Sequence, residues 1–304
     1  MSYAHIANKV LHAKWAITPA MLGSILSVLH SRMAHDHLSP EAAKAFTAHS
    51  PDRRFAVSKY SATTGLELPD APANDVAPAS ATQTAPTTAV VFASGILGKH
   101  LSSMEEMCAG GLSVDRLTLA LEEAAADPSI KNIVLWLDTP GGVVTGIPET
   151  RDLVAKIRET KTIVAYCDSL CASAGYWIAS ACDYIYCTRS ADLGSIGVYS
   201  ALLDVSAMYA AAGVKVELFK DGIYKAAGFP GTTLTDEQRA EILQSVLDTS
   251  TAFKADVTEA RPQVKAATME GQCLTGADAV KAGLADALVG SLAEVLADLA
   301  ALKT

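Results

Sequence analysis

From residue 89 onward, short apolar runs alternate with longer stretches in which apolar positions recur every three or four residues. Residues 89–93 and 162–167 have the length of strands. Residues 132–137 (Asn-Ile-Val-Leu-Trp-Leu) are apolar enough to form a strand covered on both faces. The 113–126 stretch has the spacing of an amphipathic helix and stops before Asp127-Pro128, while 147–160 and 172–181 give further helices. Short strands are predicted over 184–187 and 195–198, then a helix over 204–212 and a strand over 215–219. The rest is helical, over 235–260, 277–283 and 292–302. Apolar strands separated by helices of this length predict βαβ crossovers and a mostly parallel sheet in an α/β fold.

The first part of the chain has a different pattern. Apolar residues fall at helical spacing over 17–33, and Ser39-Pro40-Glu41 makes a helix start, so 1–60 is expected to be a helical N-terminal segment. Residues 61–88 are rich in Ala, Pro, Thr, Ser and Asp and nearly devoid of bulky apolar side chains. Such a stretch buries too little surface to offset its ordering entropy, which predicts a flexible linker and a main domain over 89–304. The longest uncharged N-terminal stretch, 15–29, lacks a basic start and is short for a bilayer span. Neither a signal peptide nor a membrane anchor is expected.

Composition narrows the partners. The 304 residues carry a formal charge of -9, with no Lys/Arg cluster, which disfavours nucleic acid. None of the six cysteines forms a C-x-x-C pair, and no histidine stands beside them at zinc-ligand spacing. Reduced, buried cysteines and no metal are the expectation. No G-x-G-x-x-G follows the 132–137 strand, so no dinucleotide cofactor is expected.

Two segments carry candidate chemistry. The first is the turn Asp138-Thr139-Pro140-Gly141-Gly142, directly after a buried strand. Ligands bind outside the carboxyl ends of parallel strands, and a Pro-Gly-Gly turn there can aim backbone N–H groups at them. An ordinary strand-to-helix turn would look the same. The second is Ser173, flanked by Ala172, Ala174 and Gly175 at a helix start. Small neighbours allow a substrate to approach, and the free N–H groups of the helix start can stabilise an oxyanion. A plain helix cap fits that segment equally well.

All seven histidines precede residue 101, so a Ser-His-Asp triad would need His100. A Ser-Lys pair needs instead a lysine whose proton affinity burial has lowered, because the ordinary value of about 10.4 leaves almost no free amine at neutral pH. Lys225, in Asp221-Gly-Ile-Tyr-Lys225-Ala-Ala-Gly-Phe-Pro-Gly, has the apolar, glycine-rich setting this requires. Lys220, beside Asp221, fits less well, and a surface loop lysine is the alternative reading of Lys225.

In order along the chain, Pro140-Gly-Gly, Ala172-Ser-Ala-Gly-Tyr-Trp, Gly194-Ser-Ile-Gly-Val and Gly222-Ile-Tyr-Lys225 resemble the motifs of the S49 peptidases. That family holds bacterial signal peptide peptidases and the head-maturation proteases of tailed phages. The resemblance implies a ClpP/crotonase-like fold and a serine endopeptidase with Ser173 as nucleophile and Lys225 as general base. It also implies an oxyanion hole from Gly141 or Gly142 with Ala174. Homo-oligomers are implied too, in some of which the lysine reaches a neighbouring subunit's serine. Position 174 is Ala where many signal peptide peptidases have Gly, a change the phage branch tolerates, while Asp138-Thr-Pro-Gly-Gly, residues 274–286 and the expected lack of an anchor resemble the phage branch most. A capsid-assembly protease acting on scaffold and capsid proteins, in the host cytoplasm or the immature head, is the implied role. A cytoplasmic bacterial S49 signal peptide peptidase is the runner-up. A crotonase-type acyl-CoA enzyme would rely on carboxylates near the turn, where only Asp138 and Glu149 stand.

Overall fold

The computed structural model describes residues 15–17, 55–61, 65–67, 87–101 and 110–301. Its early strands are β1 (Trp15–Ile17), β2 (Phe55–Ser61), β3 (Gly65–Glu67), β4 (Thr87–Ser94), β5 (Ile96–Gly98) and β6 (Gly111–Ser113). Then come β7 (Ile130–Asp138), β8 (Gly141–Val143), β9 (Thr162–Cys167), β10 (Leu170–Ala172), β11 (Tyr184–Cys187), β12 (Asp192–Gly194), β13 (Cys273–Thr275) and β14 (Ala287–Leu288). The described α-helices are α1 (Val114–Ala126), α2 (Ile147–Ile157), α3 (Ala174–Ser180), α4 (Ser206–Ala211), α5 (Asp236–Ala260), α6 (Gly276–Ala282) and α7 (Leu292–Ala301).

The main sheet runs β14-β11-β9-β7-β4-β2-β3. Its strands pair in parallel from β14 to β4, and β2 and β3 add to the edge antiparallel. The chain is therefore α/β with a largely parallel sheet. Two smaller sheets, β1-β8-β5-β6 and β10-β12-β13, stand at the carboxyl ends of β4, β7 and β9.

Successive residues of a strand face opposite sides, and both sides of this sheet are covered. Ala89, Val91, Ile133, Leu135, Ile163 and Ala165 enter the larger core, with Leu117 and Leu121 of α1, Val154 of α2 and Trp177 of α3. Val90, Val134 and Val164 face the other way, where α7 closes the layer with Val295, Leu296 and Leu299. Local signals start the helices. Ser113 caps α1 by accepting the Arg116 N–H at 3.3 Å, and Thr235 and Gln238 form a reciprocal capping box at the start of α5.

Four differences from the sequence reading have physical causes. The strand expected over 195–198 lies earlier, at β12, because Ser195 takes φ 51°, which no strand accommodates. Residues 215–219 find no strand partner, and Phe219 is 93 % exposed. Residues 172–181 divide between the end of β10 and α3, with Ser173 as the break. Phe55–Ser61 and Gly65–Glu67, assigned from sequence to the N-terminal segment and the linker, are strands of the main sheet, and β2 pairs with β4 along its whole length. That pairing is long-range, so local composition does not reveal it. The helices expected within 1–60 fall outside the described residues, and the stretches described there, β1 and β2, are strands. No described helix is long and apolar enough to cross a membrane.

The two halves of α5 behave differently. Phe253 and Val257 are buried, and the Phe253 ring stacks on Trp177 at 4.3 Å and 6°. Leu243 and Leu247, nearer its start, stand in the open. Phe253→Ala removes a buried ring behind α3 and should lower unfolding free energy by about 3–5 kcal/mol, measured by urea denaturation.

Candidate active site

The site forms where two loops leave the carboxyl ends of neighbouring parallel strands. After β7 the chain runs through Thr139 and Pro140 into β8, and after β9 it runs into β10. Backbone bonds tie the loops together. The Thr139 N–H donates to Leu170 O at 2.6 Å and the Ala172 N–H to Thr139 O at 3.0 Å, a parallel bridge that sets Thr139 beside Cys171. Gly141 and Ser173 each follow that bridge by two residues, on the two loops it joins.

Thr139 is fully buried and also works through its side chain. Its hydroxyl donates to Gly95 O at 2.6 Å and accepts the Gly141 N–H at 3.1 Å. Its methyl group fills the space over Gly175, so a side chain at 175 would collide with it. A side chain at Gly142 would overlap the backbone carbonyl of Leu97 on β5. Gly141 itself has φ 100°, which favours glycine. The Pro-Gly-Gly turn is thus fixed by both backbone shape and lack of space.

Ser173 holds φ 54° and ψ −117°, a region an L-residue occupies at a cost of about 1–3 kcal/mol. It is held there from several sides. Its N–H donates to Gly194 O at 2.7 Å, and its carbonyl accepts the Trp177 N–H at 2.8 Å. Behind it, Tyr176 Oη donates to Leu284 O at 2.9 Å and Trp177 Nε1 to Asp256 Oδ2 at 2.7 Å. Gly194, the acceptor, ends β12 just before the bend at Ser195, whose N–H donates to Gln272 O at 2.7 Å. The Ser173 side chain makes no capping bond, which removes the plain helix-cap reading. Ala174 is fully buried as the first residue of α3, so its N–H has no partner within the helix, and among the described residues no loop or cap bond takes it. A serine hydroxyl beside an unengaged buried N–H can attack a carbonyl whose oxygen that N–H receives.

Gly141 and Gly142 stand on one of the two bridged loops, and Ser173 and Ala174 on the other. Lys225 stands in a run of turns around Gly222. Its N–H donates to Gly222 O at 3.2 Å, its side chain is exposed, and no hydrogen bond joins it to Ser173. The other candidate, Lys220, is engaged: its Nζ donates to Ile223 O at 3.0 Å, an oxygen that Gln238 Nε2 also reaches at 2.7 Å. His100 is paired elsewhere. Its side chain is 80 % exposed and its Nδ1 lies 3.2 Å from Asp115 Oδ2 at the start of α1. The remaining histidines lie outside the described residues.

Nearby thiols are poor rivals to Ser173. Cys167, Cys171, Cys182 and Cys187 are free and buried. A hydrogen bond to Cys171 and burial push the Cys167 thiol well up, and burial raises Cys187 to about 11. Among the described residues no His/Cys/Asp/Glu cluster of three or more could hold a metal ion. One functional residue escaped the sequence reading. Thr139 was part of the quoted turn, yet nothing in a single threonine announces that its hydroxyl bonds Gly95 and Gly141 and that its methyl packs on the helix after Ser173.

Residues 155–304 match the model of Peptidase family S49. Over 206 residues, 67 % of this chain, it is 33 % identical to capsid assembly protease C of Escherichia phage lambda, covering 46 % of that protein. It is 29 % identical over 210 residues to the head-tail preconnector protein GP5 of Enterobacteria phage P21, covering 67 % of this chain and 41 % of GP5. A putative signal peptide peptidase SppA of Enterococcus faecium is 28 % identical over 170 residues, 55 % of this chain and 49 % of that protein. The chain thus spans less than half the length of each of these relatives. Together with the ordered motifs around Ser173, these matches place the chain in peptidase family S49.

Proposed function

We propose that the protein is a serine endopeptidase in which Ser173 is the nucleophile, Lys225 the general base, and Ala174 with Gly141 or Gly142 the oxyanion donors. The observation that carries this reading is the Ser173 backbone, held at φ 54° with its side chain uncommitted and an unengaged N–H beside it. The large parallel sheet with smaller sheets at its carboxyl ends is in keeping with a ClpP/crotonase-like fold.

In the acylation step Ser173 Oγ attacks the peptide carbonyl carbon while the Lys225 amine takes the hydroxyl proton. The oxygen gains negative charge and turns to the Ala174 N–H. The second donor comes from the Pro-Gly-Gly turn, where the Gly141 N–H exchanges its bond to Thr139 Oγ1 for one to the oxyanion, or where Gly142 serves. Lys225 then returns the proton to the departing amine, and water frees the serine.

A lysine acts as base only when its amine is taken out of water. Exposed Lys225 gains that from another surface, and its own neighbourhood supplies the adhesive. Leu203, Met208, Phe219, Ile223, Tyr224 and Phe229 are all exposed in the 203–229 stretch that carries it, a density of apolar side chains in keeping with an interface. We assign that face to a second copy of the chain, so that Lys225 serves a neighbouring subunit's Ser173 in a homo-oligomer. The phage relatives support a capsid-assembly role, with scaffold and capsid polypeptides as substrates in the host cytoplasm or the immature head.

Ser173→Ala should reduce hydrolysis of a quenched fluorescent peptide to background, and Lys225→Ala should reduce it about 10²–10⁴-fold, with circular dichroism unchanged. Full activity in either variant contradicts the dyad. Mixing the two inactive variants should restore part of the activity, because one contributes the serine and the other the lysine; a mixture that stays inactive confines the pair to one chain. Thr139→Val keeps the shape but strands Gly95 O and Gly141 N–H, so it should cost about 1–3 kcal/mol of stability and lower kcat more than it changes KM.

A further inference from the structure

The pairing of β1 bears on what occupies the substrate groove. β8 lies between two neighbours: β5, through Leu97 beside Gly142, and β1, which runs antiparallel to it. The register is Trp15 opposite Val143, Ala16 opposite Gly142 and Ile17 opposite Gly141. A stretch of the chain's own N-terminal part therefore fills the open edge of the strand that carries the oxyanion turn. Extended polypeptides bind by adding a strand to such an edge, with main-chain bonds supplying the affinity.

Direction and register agree with a substrate. The parallel bridge of Thr139 to Cys171 ties the loop that carries Gly141 to the loop that carries Ser173, each two residues beyond the bridge. The residue opposite Gly141 is then the one whose carbonyl comes to the nucleophile, and that residue is Ile17. Ala16 and Trp15 run back along Gly142 and Val143, away from the serine, as the acyl side of a peptide must when attack falls on the last paired residue. We propose that β1 is a bound internal substrate and that the bond after Ile17 is a self-processing site. This rests on the peptidase reading of Ser173.

The chemistry balances with water as the only co-reactant. Ser173 Oγ forms an ester with the Ile17 carbonyl carbon, and the Ile17–Thr18 C–N bond breaks. Thr18 leaves as an amine with the proton taken from Ser173. Water then cleaves the ester, leaving a carboxylate on Ile17 and restoring the serine hydroxyl. The cut frees the edge of β8 for other polypeptides.

The test is mass spectrometry of the purified full chain, with the quenched fluorescent peptide assayed in parallel. The expected result is a new N-terminus at Thr18 in wild type and its absence in Ser173→Ala. Trp15→Pro and Ala16→Pro give a second readout. N–H groups of successive strand residues point to opposite edges, so one of the two variants removes a donor facing β8. That variant should be processed about tenfold more slowly, the cost of one lost main-chain hydrogen bond. Wild type that hydrolyses the added peptide yet keeps the 17–18 bond intact, or is cut only elsewhere, overturns the proposal and leaves the peptidase reading standing. Equal processing in both proline variants overturns the strand-pairing basis. Wild type that cuts neither the peptide nor itself removes the peptidase reading, and the self-processing site with it.

Discussion

Thr139 joins the two loops on which the site depends. Its backbone holds Leu170 and Ala172, its hydroxyl holds Gly95 and Gly141, and its methyl group packs where a side chain at Gly175 would be. Parallel strands deliver their carboxyl ends to one side of a sheet but do not by themselves set the height of the loops that follow. The Thr139–Cys171 bridge ties the loop that carries Gly141 to the loop that carries Ser173. Thr139, Gly141, Cys171 and Ala172 are buried, where a donor or acceptor left unpaired is costly, so the arrangement is held as a unit.

The strained backbone at Ser173 is compensated by the packing behind it. Tyr176 and Trp177 are fixed by polar contacts at their tips and by the stacked Phe253 ring. Gly194 takes the Ser173 N–H, and Ser195 turns the chain away at once. The 203–229 face follows the opposite rule, since its apolar side chains project outward with Lys225 among them. Ser173 is thus built into the core, whereas Lys225 stands on an exposed stretch rich in apolar side chains.

Much of this could be read from the residue pattern where local and tertiary preferences agree. The strands at 162–167 and 184–187 appear where their apolar runs placed them, because both faces of the parallel sheet are covered. The Ser113 cap and the start of α5 follow from local hydrogen bonding. The pattern misled where one residue or a distant partner decides. Ser195 ends a strand by its φ angle, 215–219 has strand-forming residues but no neighbour to pair with, and β2 is defined by β4, more than twenty residues away. The glycines of the site were legible by their type. Thr139 was not, because its importance lies in what folds around it, and the exposure of Lys225 is a property of the whole surface.

The central claim is that this framework presents Ser173 as an activated nucleophile. The most direct measurement is reaction of the native, assembled protein with a fluorophosphonate, followed by peptide mass mapping. The account predicts a single adduct, on Ser173, lost when the protein is unfolded beforehand. An adduct on another serine, or none in a preparation that still hydrolyses peptide, would contradict it.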